Sequence, residues 1–235
     1  MMTHDSGLAP NPYFDVCSLA LCTPNHRGAK LLRGDWIVGH SSKSTGHRLI
    51  YAMQLTKVLD MEEYFNSFPQ KRPLPSGNLM QRSGDNLYYR EDGRWLRLPS
   101  TEHNDEKAFR QDVGRPVYLA EGSDHFWYFG AANSMPEIQG FADRFPWLIQ
   151  NRQGFKYVEN SEKIQAFSEW LSSLGGSGQL GTPRDQAPIA TDRFLIAIDP
   201  MPIWTKAESA EHQTLTSGTS CTRRTARQRP NKRGC

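Results

Sequence analysis

The sequence predicts an α+β domain: a curved, mostly antiparallel sheet or small barrel with short flanking helices. Two observations predict it. Short runs rich in β-branched, aromatic and aliphatic residues outnumber helix-period patterns, and they come in pairs across polar turns. A doubly wound parallel sheet would instead alternate strands with long helices. The domain is expected over residues 1–174, compact from Gly7 onward. A Gly/Pro linker with room for one more strand follows over 175–204, then a basic disordered tail over 205–235.

Asp15-Val-Cys-Ser-Leu-Ala-Leu-Cys22 is short and apolar, and Gly7-Leu-Ala-Pro-Asn-Pro12 before it holds two prolines that exclude a helix. It reads as a buried strand. Gly34 tolerates positive φ at a tight turn, and Asp35 beside it can bond neighbouring amides. That assigns Asp35 a turn role rather than that of a catalytic carboxylate, with a strand over 35–39. The polar turn His40 to His47 then leads back into a long strand over 48–59, giving a hairpin. Asp60 is an N-cap for a short helix over 61–65, with Glu62 and Glu63 at its positive end.

Residues 69–82 hold three prolines and read as a loop. Runs 86–90 and 94–98 flank Glu-Asp-Gly as a second hairpin. Residues 101–111 are polar and expected to be mobile. Strands are expected at 116–120 and 125–130, the latter the densest aromatic cluster in the chain. Ile164, Phe167, Leu171 and Leu174 recur at helical spacing between an Asn160-Ser161 cap and a Gly175-Gly176 stop. Phe194 to Ile198 reads as a last strand or an unpaired apolar patch.

A hydrophobic fraction of 37% and a mean hydropathy of -0.66 are low for a chain folded throughout. The segment from Thr205 to Cys235 accounts for much of this, because it has almost nothing to bury against its ordering entropy. It holds seven basic and two acidic residues, a net +5, so the chain's +3 leaves −2 on residues 1–204. Such a tail reads as a solvated appendage or as one that contacts a phosphate backbone without sequence preference. No apolar run approaches the ~20 residues that span a bilayer, and the first residues lack a signal-peptide pattern. A cytoplasmic protein with no membrane partner and with reduced cysteines is expected.

Walker-type, Gly-x-Gly-x-x-Gly, His-Glu-x-x-His and Gly-x-Ser-x-Gly elements do not occur, and no carboxylate pair stands out as acid and base. No catalytic residue and no cofactor is assigned, and whether the chain is an enzyme stays open. Cys17, Cys22 and His26 invite a zinc reading. Positions 17 and 22 face opposite sides of a regular strand, however, and a fourth ligand is not evident, so no metal is expected. Trp36, Tyr51, Trp95, Tyr118, Phe126, Trp127 and Tyr128 could supply stacking faces. Strand alternation limits a site to one or two of them.

At Ala9-Pro-Asn-Pro12, Cys17-Ser-Leu-Ala-Leu-Cys22, Gly34-Asp-Trp-Ile37, Leu49-Ile-Tyr-Ala-Met53 and Gly84-Asp-Asn86, over about residues 4–128, the chain resembles the bacterial and phage family called nucleotide modification associated domain 2. The layout more weakly resembles the PUA-like modules that include EVE and ASCH domains, a likeness of fold alone. The family's usual opening strand precedes the His4-Asp-Ser-Gly7 segment, so the resemblance implies an incomplete edge or pocket wall. It also implies recognition of a modified base or nucleotide, with Asp5, Asn11, Arg27, Trp36, Tyr51 and Asn86 as candidate ligand-binding residues. Asn suits a base edge and Arg a phosphate, although Asn11 and Arg27 serve loop architecture equally well. The alternatives are an enzyme of nucleotide or base modification, in which Asp5, Asn11 and Arg27 position a substrate, and a phage-host interaction scaffold.

Overall fold

A computed structural model describes residues 1–21, 26, 28–100, 102–103 and 105–185. The sequence-predicted patch 194–198 and the tail lie outside the described residues. In chain order the strands and helices are β1 (Val16–Leu19), β2 (Trp36–His40), β3 (Leu49–Gln54), β4 (Lys57–Leu59), α1 (Met61–Ser67), α2 (Leu79–Arg82), β5 (Tyr88–Glu91) and β6 (Arg94–Arg97). Then come α3 (Glu106–Asp112), β7 (Val117–Glu121), β8 (Phe126–Tyr128), α4 (Pro136–Gln139), α5 (Phe141–Arg144), α6 (Ser161–Ser173) and β9 (Gly178–Gln179). One sheet has the order β1-β7-β4, a second β2-β3-β8-β9, and β5-β6 is a separate hairpin. All pairings are antiparallel except β8 with β9. The fold is α+β as predicted, with the sheets left open rather than closed into a barrel.

Of the chain's three passages between the two sheets, two are short. Residues 48–59, expected as one strand, break where partners change: Leu55 N bonds Asp35 O at 2.8 Å, while Thr56 N bonds Leu119 O at 2.8 Å. The second short crossing is the turn at Gly122, whose φ of 94° suits glycine. Alternation then sorts side chains onto faces. Cys17, Tyr51, Met53, Tyr118, Ala120, Phe126 and Tyr128 share one cluster between the sheets. Val117 and Leu119 point the other way, into a cluster with Tyr64 and Phe68 of the α1 region, Tyr88 of β5 and Phe109 of α3. Ala52 and Trp127 meet Phe141, Phe145, Phe167 and Trp170 beneath the C-terminal helices.

Local signals explain most helices. Asp60 and Glu63 form a capping box on α1, and Asn160 caps α6. Two stretches expected to be irregular hold helix instead. Within 69–82, Asn78 and Gln81 close a capping box on the single turn of α2. Within 101–111, α3 forms under an Asp105 cap because Phe109 sets its ring edge-on to Tyr88 at 5.6 Å. Packing also continues past Gly175-Gly176. Leu180 N and Gly181 N both bond Tyr128 O, and Asp185 N bonds Asp5 O at 2.8 Å. None of the described helices is long and apolar enough to cross a membrane.

A polar knot ties the first loop to the body. Buried Lys71 donates from Nζ to Asn11 Oδ1 (2.7 Å), Asn11 O (2.9 Å) and Val16 O (2.6 Å). Asp85 accepts from Ser18 Oγ and from the Tyr64 hydroxyl, each at 2.6 Å. Asn86 Nδ2 donates to Tyr64 O (3.1 Å) and Phe68 O (3.0 Å). Burial draws the Lys71 ammonium down to about 8 and pushes the Asp85 carboxyl up, while each charge favours the other. The three acceptors around Nζ hold Lys71 in its charged form. Asp85→Ala would strand two hydroxyls and an uncompensated buried cation, so a loss of about 3–5 kcal/mol is expected. Urea unfolding followed by far-UV circular dichroism measures it, with Asp85→Asn expected to lose less.

Candidate functional site

Beside the Gly34 turn a cleft of about 670 Å³ runs the length of β2. Gly34 adopts φ 94°, its N–H bonds Leu55 O at 2.7 Å, and Asp35 Oδ2 accepts the Leu32 N–H at 2.8 Å. The predicted turn role of Asp35 is the observed one, and it starts β2 at Trp36. All residues from Gly34 to His40 line the cleft.

The walls come from several separate stretches. Gly39 pairs with Tyr51 on β3, and a Cβ at position 39 would overlap the Tyr51 ring. Glycine there lets that ring lie over the neighbouring strand toward the cleft. The Tyr118 hydroxyl donates to Ala29 O at 2.7 Å and fastens the 28–32 loop. Lys30 N then bonds the Tyr157 hydroxyl at 2.7 Å, joining that loop to the 147–159 stretch. Phe155 and Tyr157 meet edge-on at 5.4 Å and are 42% and 49% exposed. Trp36 rests on Trp127 (5.9 Å) and Phe167 (6.0 Å), and Trp147 also lines the cleft.

His40 holds the far end. Its Nδ1–H donates to Ser41 O at 2.7 Å, and Nε2 accepts the Gln150 N–H at 3.1 Å, a pairing that requires the neutral ring. Burial brings its pKa down to about 4, and burial does the same to His26. At the mouth His4 lies 3.5 Å from Asp185 and 3.9 Å from Glu102. Lys30 and Lys156 stand against Asp35, Glu102 and Glu159 around the cleft, so its charge is nearly balanced.

The sequence-predicted residues divide between cleft and interior. Trp36 and Tyr51 line the cleft together. Asn11 and Asn86 are fully buried in the polar knot. Asp5 is buried too, accepting from the Tyr128 hydroxyl (2.5 Å) and Ala131 N (2.7 Å). Arg27 lies outside the described residues, as does Cys22. Cys17 sits in the apolar cluster between the sheets, where burial pushes its thiol up to about 12. Trp147, Phe155, Tyr157 and His40 were not singled out from the sequence. The available signal was aromatic residues in an unperiodic, glycine-containing stretch, where no core face calls for them.

The model of a family described as nucleotide modification associated domain 2 matches residues 1–189. No curated protein and no solved structure matches the chain.

The neutral His40 has a consequence for stability. Its pKa falls from 6.5 to about 4 on folding, so between those values the unfolded chain binds the proton and the fold does not. The stability it contributes is whole above about 6.5 and declines as pH falls toward 4. Urea midpoints measured across that window are expected to drop on acidification, and to drop less steeply in His40→Gln. The decline persists in part because His26 titrates over the same range.

Proposed function

Because the chain belongs to the nucleotide modification associated domain 2 family, we propose that it recognises a nucleotide, and within that class a modified base, in the cleft along β2. One observation carries this reading: aromatic side chains from separate stretches line one volume of about 670 Å³, with Trp36, Trp147, Phe155 and Tyr157 partly exposed and Tyr51 and Tyr118 buried in its wall. That volume is within the usual range for small-ligand sites, and aromatic faces bind any base by stacking. The near balance of charge suits a neutral base. The basic tail is proposed to supply phosphate contacts that a charge-balanced cleft does not.

Binding of modified and unmodified nucleotides, followed by calorimetry, tests the reading. Phe155→Ala removes an exposed ring, so the fold should be unaffected. It is expected to weaken binding by about 1–3 kcal/mol, roughly 5- to 150-fold. Equal failure to bind modified and unmodified forms would remove the proposal. Turnover that is lost in His4→Gln while binding persists would favour the enzyme reading, for which the His4 placement beside Asp185 and Glu102 is the supporting geometry. For the tail, replacing Arg223, Arg224, Arg227 and Arg229 by glutamine is expected to flatten the salt dependence of single-stranded oligonucleotide binding. The expected change is about 0.7 in log–log slope per lost contact.

A further inference from the structure

The free edge of β2 lies in the cleft. Among the described residues β2 pairs only with β3 and forms one border of the four-stranded sheet. The Asp35 carbonyl accepts from Leu55 N on the β3 side, whereas the His40 carbonyl accepts from Met2 N on the outer side. In an antiparallel ladder the N–H and C=O of alternate residues point the same way. Ile37 and Gly39 therefore face β3, and Trp36 and Val38 turn their backbone groups outward. Neither makes an outward hydrogen bond to a described residue. Both line the cleft, whose walls include Tyr51 and Tyr118 from the cluster between the sheets and Trp147 and Phe167 from the cluster under the helices. A cleft that draws on both faces of a sheet is centred on its edge.

We propose that the outward N–H and C=O groups of Trp36 and Val38 read the hydrogen-bonding edge of a base held in this cleft. This deepens the nucleotide-recognition reading and rests on it. Two residues along a strand span about 7 Å, comparable to the edge of a nucleobase, and each residue presents one donor and one acceptor. The Met2–His40 bond closes the strand on one side and the Gly34 turn closes it on the other. What remains open is too short to add a peptide strand, which gains affinity from a run of main-chain bonds. The aromatic walls are then free to stack on the base faces while the main chain selects among edges.

Proline at position 38 removes the outward N–H and leaves the β3 ladder intact, since its missing donor faces away from β3. The full-length protein, ¹⁵N-labelled, is titrated with adenosine, guanosine, cytidine, thymidine and 5-hydroxymethylcytidine. The expected result is a downfield shift of the Val38 amide proton with the preferred nucleoside. Binding is expected to be about tenfold or more weaker in Val38→Pro, the scale of one unmade hydrogen bond to a desolvated partner, and within about threefold of wild type in Val38→Ala. Nucleoside binding that leaves the Val38 amide unshifted, or that survives unchanged in a folded Val38→Pro, overturns the inference while the functional reading stands. The amide shift decides the matter in the wild-type protein even if the proline variant does not fold. If no nucleoside binds the wild-type protein, the reading falls and the inference with it. Concentration-dependent broadening of the Trp36 and Val38 amides without nucleoside would assign the edge to pairing with a second copy, and would also overturn the proposal.

Discussion

Burial of the central sheet on both faces decides where anything else can happen in this molecule. Along β3, Tyr51 and Met53 face the cluster between the sheets while Ala52 packs under the C-terminal helices. β8 repeats the pattern, with Phe126 and Tyr128 on one side and Trp127 on the other. A sheet covered on both faces offers ligands only its borders, and one border is occupied by β9. The other, β2, is where the cleft opens. The aromatic content accordingly has two uses: most buried rings build the three clusters, and Trp36, Trp147, Phe155 and Tyr157 beside β2 are left partly uncovered.

The polar residues around the first loop illustrate how a fold competes with a site for the same side chains. Asn11, Asp85 and Asn86 have the chemistry of base and sugar recognition, but Lys71 carries a charge into a place without water and must be surrounded by acceptors. Asn11 supplies two of them, and Asp85 supplies the compensating charge along with acceptors for Ser18 and Tyr64. Gly84 completes the arrangement by direct contact, since a Cβ there would overlap the backbone of residues 71–73. The Gly84-Asp85-Asn86 run thus has a structural role in the fold.

Much of the architecture is legible in the sequence because its signals are local. Short apolar runs between polar turns mark β2, β3, β7 and β8, cap residues mark α1 and α6, and the Gly34-Asp35 turn behaves as its chemistry requires. The illegible parts depend on distant partners. Nothing within residues 48–59 announces that Leu55 bonds one sheet and Thr56 the other, because the break is set by Asp35 and Leu119. Helix α3 escapes a local reading because one residue, Phe109, finds a cluster assembled from α1, β5 and β7. The cleft is harder still. Trp36 and Tyr51 belong to recognisable strands, whereas Phe155 and Tyr157 are brought to the cleft by contacts distant in sequence, such as the Lys30–Tyr157 bond across 127 residues and the His40–Gln150 bond.

The protonation states around the cleft fit its geometry. His40 can accept the Gln150 N–H only while its Nε2 is bare, and burial keeps it so well below neutral pH. The wall formed by the 147–159 stretch thus depends on a ring that carries no charge. Lys30 and Lys156 are offset by Asp35, Glu102 and Glu159, so little net field remains to attract an anion into the cleft. Stacking faces and main-chain donors and acceptors work best where bulk water and strong fields are both reduced. On the proposed reading, discrimination belongs to the uncharged edge of β2, and attraction to phosphate belongs to basic residues elsewhere in the chain.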